Sequence, residues 1–375
     1  MKKKILMIIP SFFPLVGGAE KQLSSLAKHL ASSGLIIEVV TRSLPLTPKV
    51  EYIDGFKVLR LRNYFRNFGF LISLFIHILK NRNTYAVIHI HTLNSPAIVG
   101  SFLGHILKIP VLLKVTRSGK GAQLQTFSDG GLKNYLFEQI KQQSYFISIT
   151  LDVQNELRKL GVDKSRIFSI PNGVEVTQDL LIPLGNFEEK NIIKILYIGR
   201  LIKRKRVDLL IKALGALDVN HEFELQVIGD GPERSELETL ATSILLKKQF
   251  KFTGSLDHSD VLDELQKANV FVLPSDSEGM SNALLEAMAS GLAVIAANIP
   301  SNRELVKDKE NGLLFLTSNE LKQNLEVVLS DKELMSMLAI NAHQSIYNNF
   351  SFERVSNSYL KLYTDLIQET KQQDT

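Results

Sequence analysis

Short apolar runs rich in β-branched residues alternate with stretches of helical periodicity along the whole chain, and this alternation leaves little choice of fold. Runs that are apolar throughout must be covered on both faces, and strands separated by a helix-length crossover pair in parallel. The predicted architecture is a doubly wound α/β sheet, formed twice. Strands are predicted at residues 5–9, 36–41, 58–60, 87–91, 111–115, 146–149 and 167–170. A second set follows at 192–198, 224–228, 250–253, 270–274, 293–296 and 312–315. Helical patterns lie between them; at 19–32, Leu23, Leu26, Ala27 and Leu30 follow the helical period. Others are expected at 207–217, 234–247, 260–267 and 282–290. After Pro171, Asn172 and Gly173, residues 177–189 are polar and irregular, the best linker candidate. The expected organisation is a first domain over 1–185, a second over 186–350 and a helical tail within 351–375.

With 375 residues, each half is long enough to bury its own core. The chain has no cysteine, which excludes disulfides, thiol nucleophiles and cysteine-ligated metals. Its start, three lysines and then an apolar run, resembles a signal peptide. The run stops at Pro10 without a small-residue cleavage site, so a buried first strand and a cytoplasmic protein are expected. Charge is divided unevenly: residues 1–185 carry 23 Lys and Arg against 11 Asp and Glu, a net of +12, and the remainder is net −7. A basic half suits an anionic membrane surface or is ordinary solvated surface; nucleic acid is not expected, since no nucleic-acid motif accompanies the charge. The apolar stretch 68–79 is too short to span a bilayer, which needs ~20 residues. Flanked by Arg62, Arg66, Lys80 and Arg82, it reads as either a core helix or an interfacial one.

The chemistry concentrates at residues 275–291. Glu278 precedes a turn, Ser281 or Asn282 is placed to cap a helix ending near Gly291, and Glu286 falls on that helix's second turn. A helix N-terminus presents unpaired N–H groups and partial positive charge to a phosphate. Carboxylates on either side can accept from sugar hydroxyls. The combination suits a nucleotide-sugar. Gly199 and Arg200 follow the strand at 192–198, and Lys205 lies a few residues on; cations at the carboxyl edge of a parallel sheet are placed to neutralise a diphosphate.

These residues resemble glycosyltransferase family 4, the retaining enzymes of the GT-B fold. The family's E-G-F-x-x-x-x-x-E-A-M-A-x-G-x-P-V is matched by Glu278, Gly279, Met280, Ser281, Asn282 and on through Glu286 to Gly291, with Met280 for Phe and Ala293 for Pro. Gly17, Gly18 and Glu20 match its Gly-Gly-x-Glu. Gly199, Arg200 and Lys205 match its Gly-Arg-Leu-x-x-x-Lys-Gly, with Arg206 in place of the last glycine. Gly229, Gly231, Pro232 and Glu233 match G-x-G-P-E, and Phe350, Ser351 and Phe352 resemble the start of the final helix. The resemblance implies two Rossmann-like domains facing a cleft, with the last helix crossing back to the first domain. It implies transfer of a hexosyl group, with retention, from a nucleotide-sugar, expected to be a UDP-sugar. The acceptor would be a hydroxyl of a glycan or lipid-linked molecule, as in cell-surface polysaccharide or glycolipid synthesis. Glu278 would bind the donor sugar, Glu286 the ribose, and Arg200 with Lys205 the departing diphosphate. No cofactor or metal is expected, since two cations take a metal's place.

The departure that matters most falls on the acceptor side. Thr116, followed by Arg117, stands where many members carry a histidine; His91 on the neighbouring strand is either an acceptor contact or a structural residue. Competing readings are a nucleotide-sugar epimerase or phosphorylase of the same fold, a glycoside hydrolase using Glu278 and Glu286, and a non-catalytic binding module. Hydrolases hold their carboxyls ~5–9.5 Å apart, and eight helical positions would separate them by ~12 Å.

Overall fold

The computed structural model describes residues 4–15, 17–63, 67–118, 124, 131–177, 192–217, 222–245 and 249–373. The chain divides into two compact units, Met1–Gly173 with Phe352–Thr375, and Val174–Ser351. The boundary expected at 185/186 lies outside the described residues.

The first unit is built on β1 (Lys4–Ile8), β2 (Ile37–Arg42), β3 (Val50–Ile53), β4 (Phe56–Leu61), β5 (Tyr85–Ile90), β6 (Val111–Val115), β7 (Tyr145–Ser148) and β8 (Ile167–Ser169). They lie in the order β3-β4-β2-β1-β5-β6-β7-β8, parallel throughout except for the β3–β4 pair. Strand β3 was not predicted. It is an edge strand with no buried position, so it lacks the apolar run that marks its neighbours. The signal was the turn: Asp54 and Gly55 have φ of 45° and 85°, the left-handed pair of a tight hairpin. Helices α1 (Gly18–Ser32), α2 (Asn67–Lys80), α3 (Ser95–Leu107), α4 (Gly131–Gln143) and α5 (Leu151–Lys159) connect the strands.

The second unit has β9 (Ile193–Ile198), β10 (Phe223–Ile228), β11 (Phe250–Gly254), β12 (Val270–Leu273), β13 (Ala293–Ala297) and β14 (Leu313–Phe315), in the order β11-β10-β9-β12-β13-β14. All its pairs are parallel. Helices α6 (Val207–Gly215), α7 (Arg234–Ile244), α8 (His258–Lys267), α9 (Asn282–Ala289), α10 (Pro300–Arg303), α11 (Ser318–Ser330) and α12 (Lys332–Phe350) cover it. The terminal helix α13 (Phe352–Gln373) belongs to the first unit and packs against α1. Its Phe352, Val355, Tyr359, Leu362, Tyr363 and Leu366 are buried at helical spacing.

Helix α2 answers the question left by residues 68–79. Phe70, Leu74 and Ile78 are buried in the core with Leu103 of α3, so one face is structural. The other face is exposed and still apolar. Among the described residues no helix is long and apolar enough to cross a membrane.

Beneath α13 lies a polar cluster in an apolar setting. His89 Nδ1 and the Tyr363 hydroxyl are 2.7 Å apart, the His89 and His91 rings are 4.0 Å apart, and the Lys114 ammonium lies 5.9 Å from the centre of the Tyr359 ring. Burial drives Lys114 from its ordinary value of 10.5 down to about 8. Burial also holds both histidines well below their usual range, helped by the positive charge of Lys114. Lys114 has no ion pair among the described residues. Between pH 8 and 10.5 the unfolded chain binds the proton that the folded chain releases, so stability rises with pH across that window. Lys114→Met should remove this slope and stabilise the protein at neutral pH by ~1–3 kcal/mol, the charge penalty less the lost ring contact. Urea titrations at pH 7 and pH 10 check it; a variant less stable at pH 7, with the slope intact, would show that the ammonium is better solvated than its burial implies.

Candidate active site in the second unit

Strands β10, β9 and β12 are neighbours, so the loops leaving their carboxyl ends meet at one edge of the sheet. The β9 loop bends sharply at Gly199, whose N–H donates to the carbonyl of Ile228 at 3.0 Å. It then crosses the β10 loop at very close range. A Cβ on Gly229 would stand 1.9 Å from the carbonyl oxygen of Gly199, and one on Gly231 would stand 2.3 Å from that of Leu201. Gly229 therefore does its work by backbone approach.

From this crossing the chain runs through Arg200 to a short 3-10 turn, Lys203–Lys205, and enters α6 at Arg206. Arg206 has φ of 51°, a left-handed conformation that glycine adopts without cost, which explains why glycine suits this position. The arginine side chain turns to Asp208 and Asp276, donating to each at 3.2 Å.

The β12 loop is tied to the same turn. The Asp276 N–H donates to the carbonyl of Arg204 at 2.9 Å, and Arg204 Nη1 donates to the carbonyl of Ser277 at 2.8 Å. These bonds set Lys205 directly against Glu278, in an ion pair in which the ammonium donates to the carboxylate. Arg204 stands 3.8 Å from the other carboxylate oxygen. Both partners are largely enclosed, with 13% of the Lys205 side chain and 8% of that of Glu278 exposed. After Gly279 and the buried Met280, Ser281 caps α9: its hydroxyl accepts from the Leu284 N–H at 3.3 Å. Asn282 and Glu286 follow on the first and second turns of α9, both half-buried. Arg200 is exposed at the edge. Under it lies Tyr197, whose hydroxyl donates to the Arg200 carbonyl at 3.4 Å; burial, and then the charge of Glu278, pushes that phenol far above its usual range.

Of the residues singled out in the sequence, Lys205, Glu278, Gly279, Met280, Ser281, Asn282 and Glu286 thus form one constellation, with Arg200 and Gly229 on the adjoining loops. Sequence reading passed over Arg204, Tyr197 and Asp276. Arg204 was one cation in a run of four, and nothing in the run says which side chain turns inward.

The remaining candidates belong to the first unit. Gly17 is the extended residue before α1, and Gly18 is its first residue; both are exposed. Thr116 and Arg117 are half-buried after β6. His91 is only 1% exposed, and its N–H donates to the Ile8 carbonyl at 3.0 Å. That bond is made by the backbone; the buried ring packs on that of His89, and its Nε2 has no hydrogen-bond partner among the described residues.

Residues 16–178 match the family described as Glycosyltransferase Family 4, and residues 183–345 match Glycosyl transferases group 1. The N-acetyl-alpha-D-glucosaminyl L-malate synthase of Bacillus anthracis is 24% identical over 96% of this chain and 97% of its own length. A UDP-Gal:alpha-D-GlcNAc-diphosphoundecaprenol alpha-1,3-galactosyltransferase of Escherichia coli is 30% identical over 56% of this chain and 57% of its own. The crystal structure of Anabaena HepE in complex with UDP and glucose superposes with a TM-score of 0.76, at 20% identity, over 97% of this chain and 100% of that one. At that identity the likeness speaks for the fold, two parallel-sheet α/β domains of GT-B type. With one family match over each half, the chain belongs to the family 4 glycosyltransferases.

Proposed function

We propose that the chain transfers a hexosyl group from a UDP-sugar to a hydroxyl acceptor with retention at the anomeric carbon, without a metal. The observation that carries this reading is the Lys205–Glu278 pair held at the capped N-terminus of α9. As the sugar–phosphate bond breaks, negative charge grows on the diphosphate, and fixed cations beside it stabilise that charge without reorganising. Lys205 and Arg200 fill this role, with the N–H groups at the start of α9 adding partial positive charge. Glu278 then has two functions: it holds Lys205 in place before the donor arrives, and it accepts from sugar hydroxyls once the diphosphate draws on the lysine. Glu286, farther along α9, takes the ribose hydroxyls. The departing phosphate oxygen accepts the proton of the acceptor hydroxyl as the new bond forms on the same face. A carboxylate engaged by Lys205 with Arg204 behind it fits a binding group better than the proton donor of a hydrolase pair.

UDP as the nucleotide is supported by the Anabaena relative, whose structure holds UDP and glucose. For the acceptor the named relatives point two ways, to a small soluble acid and to a lipid-linked sugar. The basic balance of the first half favours the second. Accordingly we place the protein in the cytoplasm, in peripheral contact with an anionic membrane, with Thr116 and Arg117 on the acceptor side.

Lys205→Ala or Arg200→Ala should lower turnover by ~10²–10³, by the measure of other lost transition-state donors, and weaken UDP binding less. UDP release from the best-used UDP-sugar gives the rate; near-wild-type turnover in both variants would remove the clamp from the mechanism. The two carboxylates should separate cleanly in calorimetry. Glu286→Ala weakens UDP binding, because the ribose is common to donor and product, whereas Glu278→Ala leaves it nearly unchanged and abolishes transfer. The reverse ranking would exchange their roles.

A further inference from the structure

Helices α2 and α3 lie side by side on one face of the first unit's sheet, and both bury their inner sides in the same core. Their outer sides are not polar. On α2, Phe68, Ile72, Phe75 and Ile76 are 64%, 46%, 37% and 45% exposed; on α3, Phe102 and Ile106 are 53% and 56% exposed. The spacing of four, seven and eight positions puts the α2 set on a single face, and Phe102 and Ile106 are one turn apart. A helix facing water carries polar residues there, and contiguous exposed apolar surface marks a contact site.

The charge around this face identifies what it contacts. From Gly55 to Ser128 the sequence contains no aspartate or glutamate. Exposed Lys80 and Arg82 stand at the end of α2 and Lys108 at that of α3, beside the exposed His105, and exposed Arg62 lies along α2, its carbonyl accepting from the Ser73 hydroxyl at 3.1 Å. An apolar face whose own helices and their ends carry only basic charges complements a surface that is anionic outside and hydrocarbon within. A second copy of the chain is a poorer partner, since a symmetric contact would set the same basic rim against itself.

We propose that the outer face of α2 and α3 is the membrane-docking surface of this protein, with Phe68, Ile72, Phe75, Ile76, Phe102 and Ile106 entering the headgroup–acyl boundary of an anionic bilayer. The inference rests on the reading that the protein works at a membrane, and names the face that meets it. Docking is reversible and weakened by salt, because the rim's contribution decays over a Debye length of ~8 Å at physiological ionic strength.

The chain contains no tryptophan, so a single one is a clean reporter. Phe75→Trp and Phe102→Trp keep an aromatic ring in place, and Ile340→Trp on α12, 42% exposed in the second unit, serves as the control. With phosphatidylglycerol-containing vesicles the first two should shift their emission to the blue and the control should not; pure phosphatidylcholine should give a weaker response. In cosedimentation, Ile72→Asn with Ile76→Asn should lower partition at least tenfold, with melting temperature and UDP affinity kept. If the wild type binds neither vesicle, the membrane reading itself fails and the docking face with it. If the wild type binds but the reporters stay unshifted and the asparagine variant partitions normally, the membrane reading stands and this face is not the one used. A chain that ignores vesicles yet dimerises through these residues would make the face a self-association surface and overturn the proposal.

Discussion

The carbonyl oxygen of Gly199 lies 1.9 Å from where a Cβ on residue 229 would stand, so the loops leaving β9 and β10 can cross only if residue 229 has no side chain. Much of the second unit's chemistry follows from that contact. The crossing turns the chain at Gly199 and sends Arg200 and the Lys203–Lys205 turn toward the end of β12. There the Arg204 carbonyl meets the Asp276 N–H, and Lys205 meets Glu278. Any side chain at residue 229 would push the basic turn away from the loop it is meant to hold. The helix that follows, capped by Ser281, would then present its N-terminus to solvent without the cations beside it.

The site is a balance of charges held ready. Three cations, Arg200, Arg204 and Lys205, lie on the loop that leaves β9, and Glu278 engages the last two of them. An unpaired lysine enclosed this closely would be costly, and the glutamate removes that cost while leaving the pair open to exchange. In the proposed mechanism the diphosphate of a donor, more negative than one carboxylate, draws on the same cations and releases the glutamate for sugar hydroxyls. Geometry set before binding is what lets such groups act on the transition state.

Much of this was legible in the sequence because its constraints are local. Strand β6 lies where predicted, at Val111–Val115, and the ends of most other strands differ by a residue or two. Ser281 as a cap and Glu286 on the second turn follow from spacing alone. What escaped depended on tertiary contact. Edge strand β3 buries nothing and so carried no apolar run. His91 left two readings open, and only the packing of the first unit shows its ring buried against His89. Arg204 cannot be told from Lys203 until the 3-10 turn fixes which side chain faces Ser277 and Glu278. The apolar run of α2 was visible, but periodicity does not say that its second face stays uncovered.

The central claim is that Lys205 and Glu278 mark the place of a nucleotide diphosphate, and a crystal structure of the chain with UDP tests it most directly. The account predicts the diphosphate between Arg200, Lys205 and the N-terminus of α9, with a ribose hydroxyl donating to Glu286 and the Lys205–Glu278 pair loosened or shared. UDP bound elsewhere, with that pair unchanged and Glu286 untouched, would contradict it.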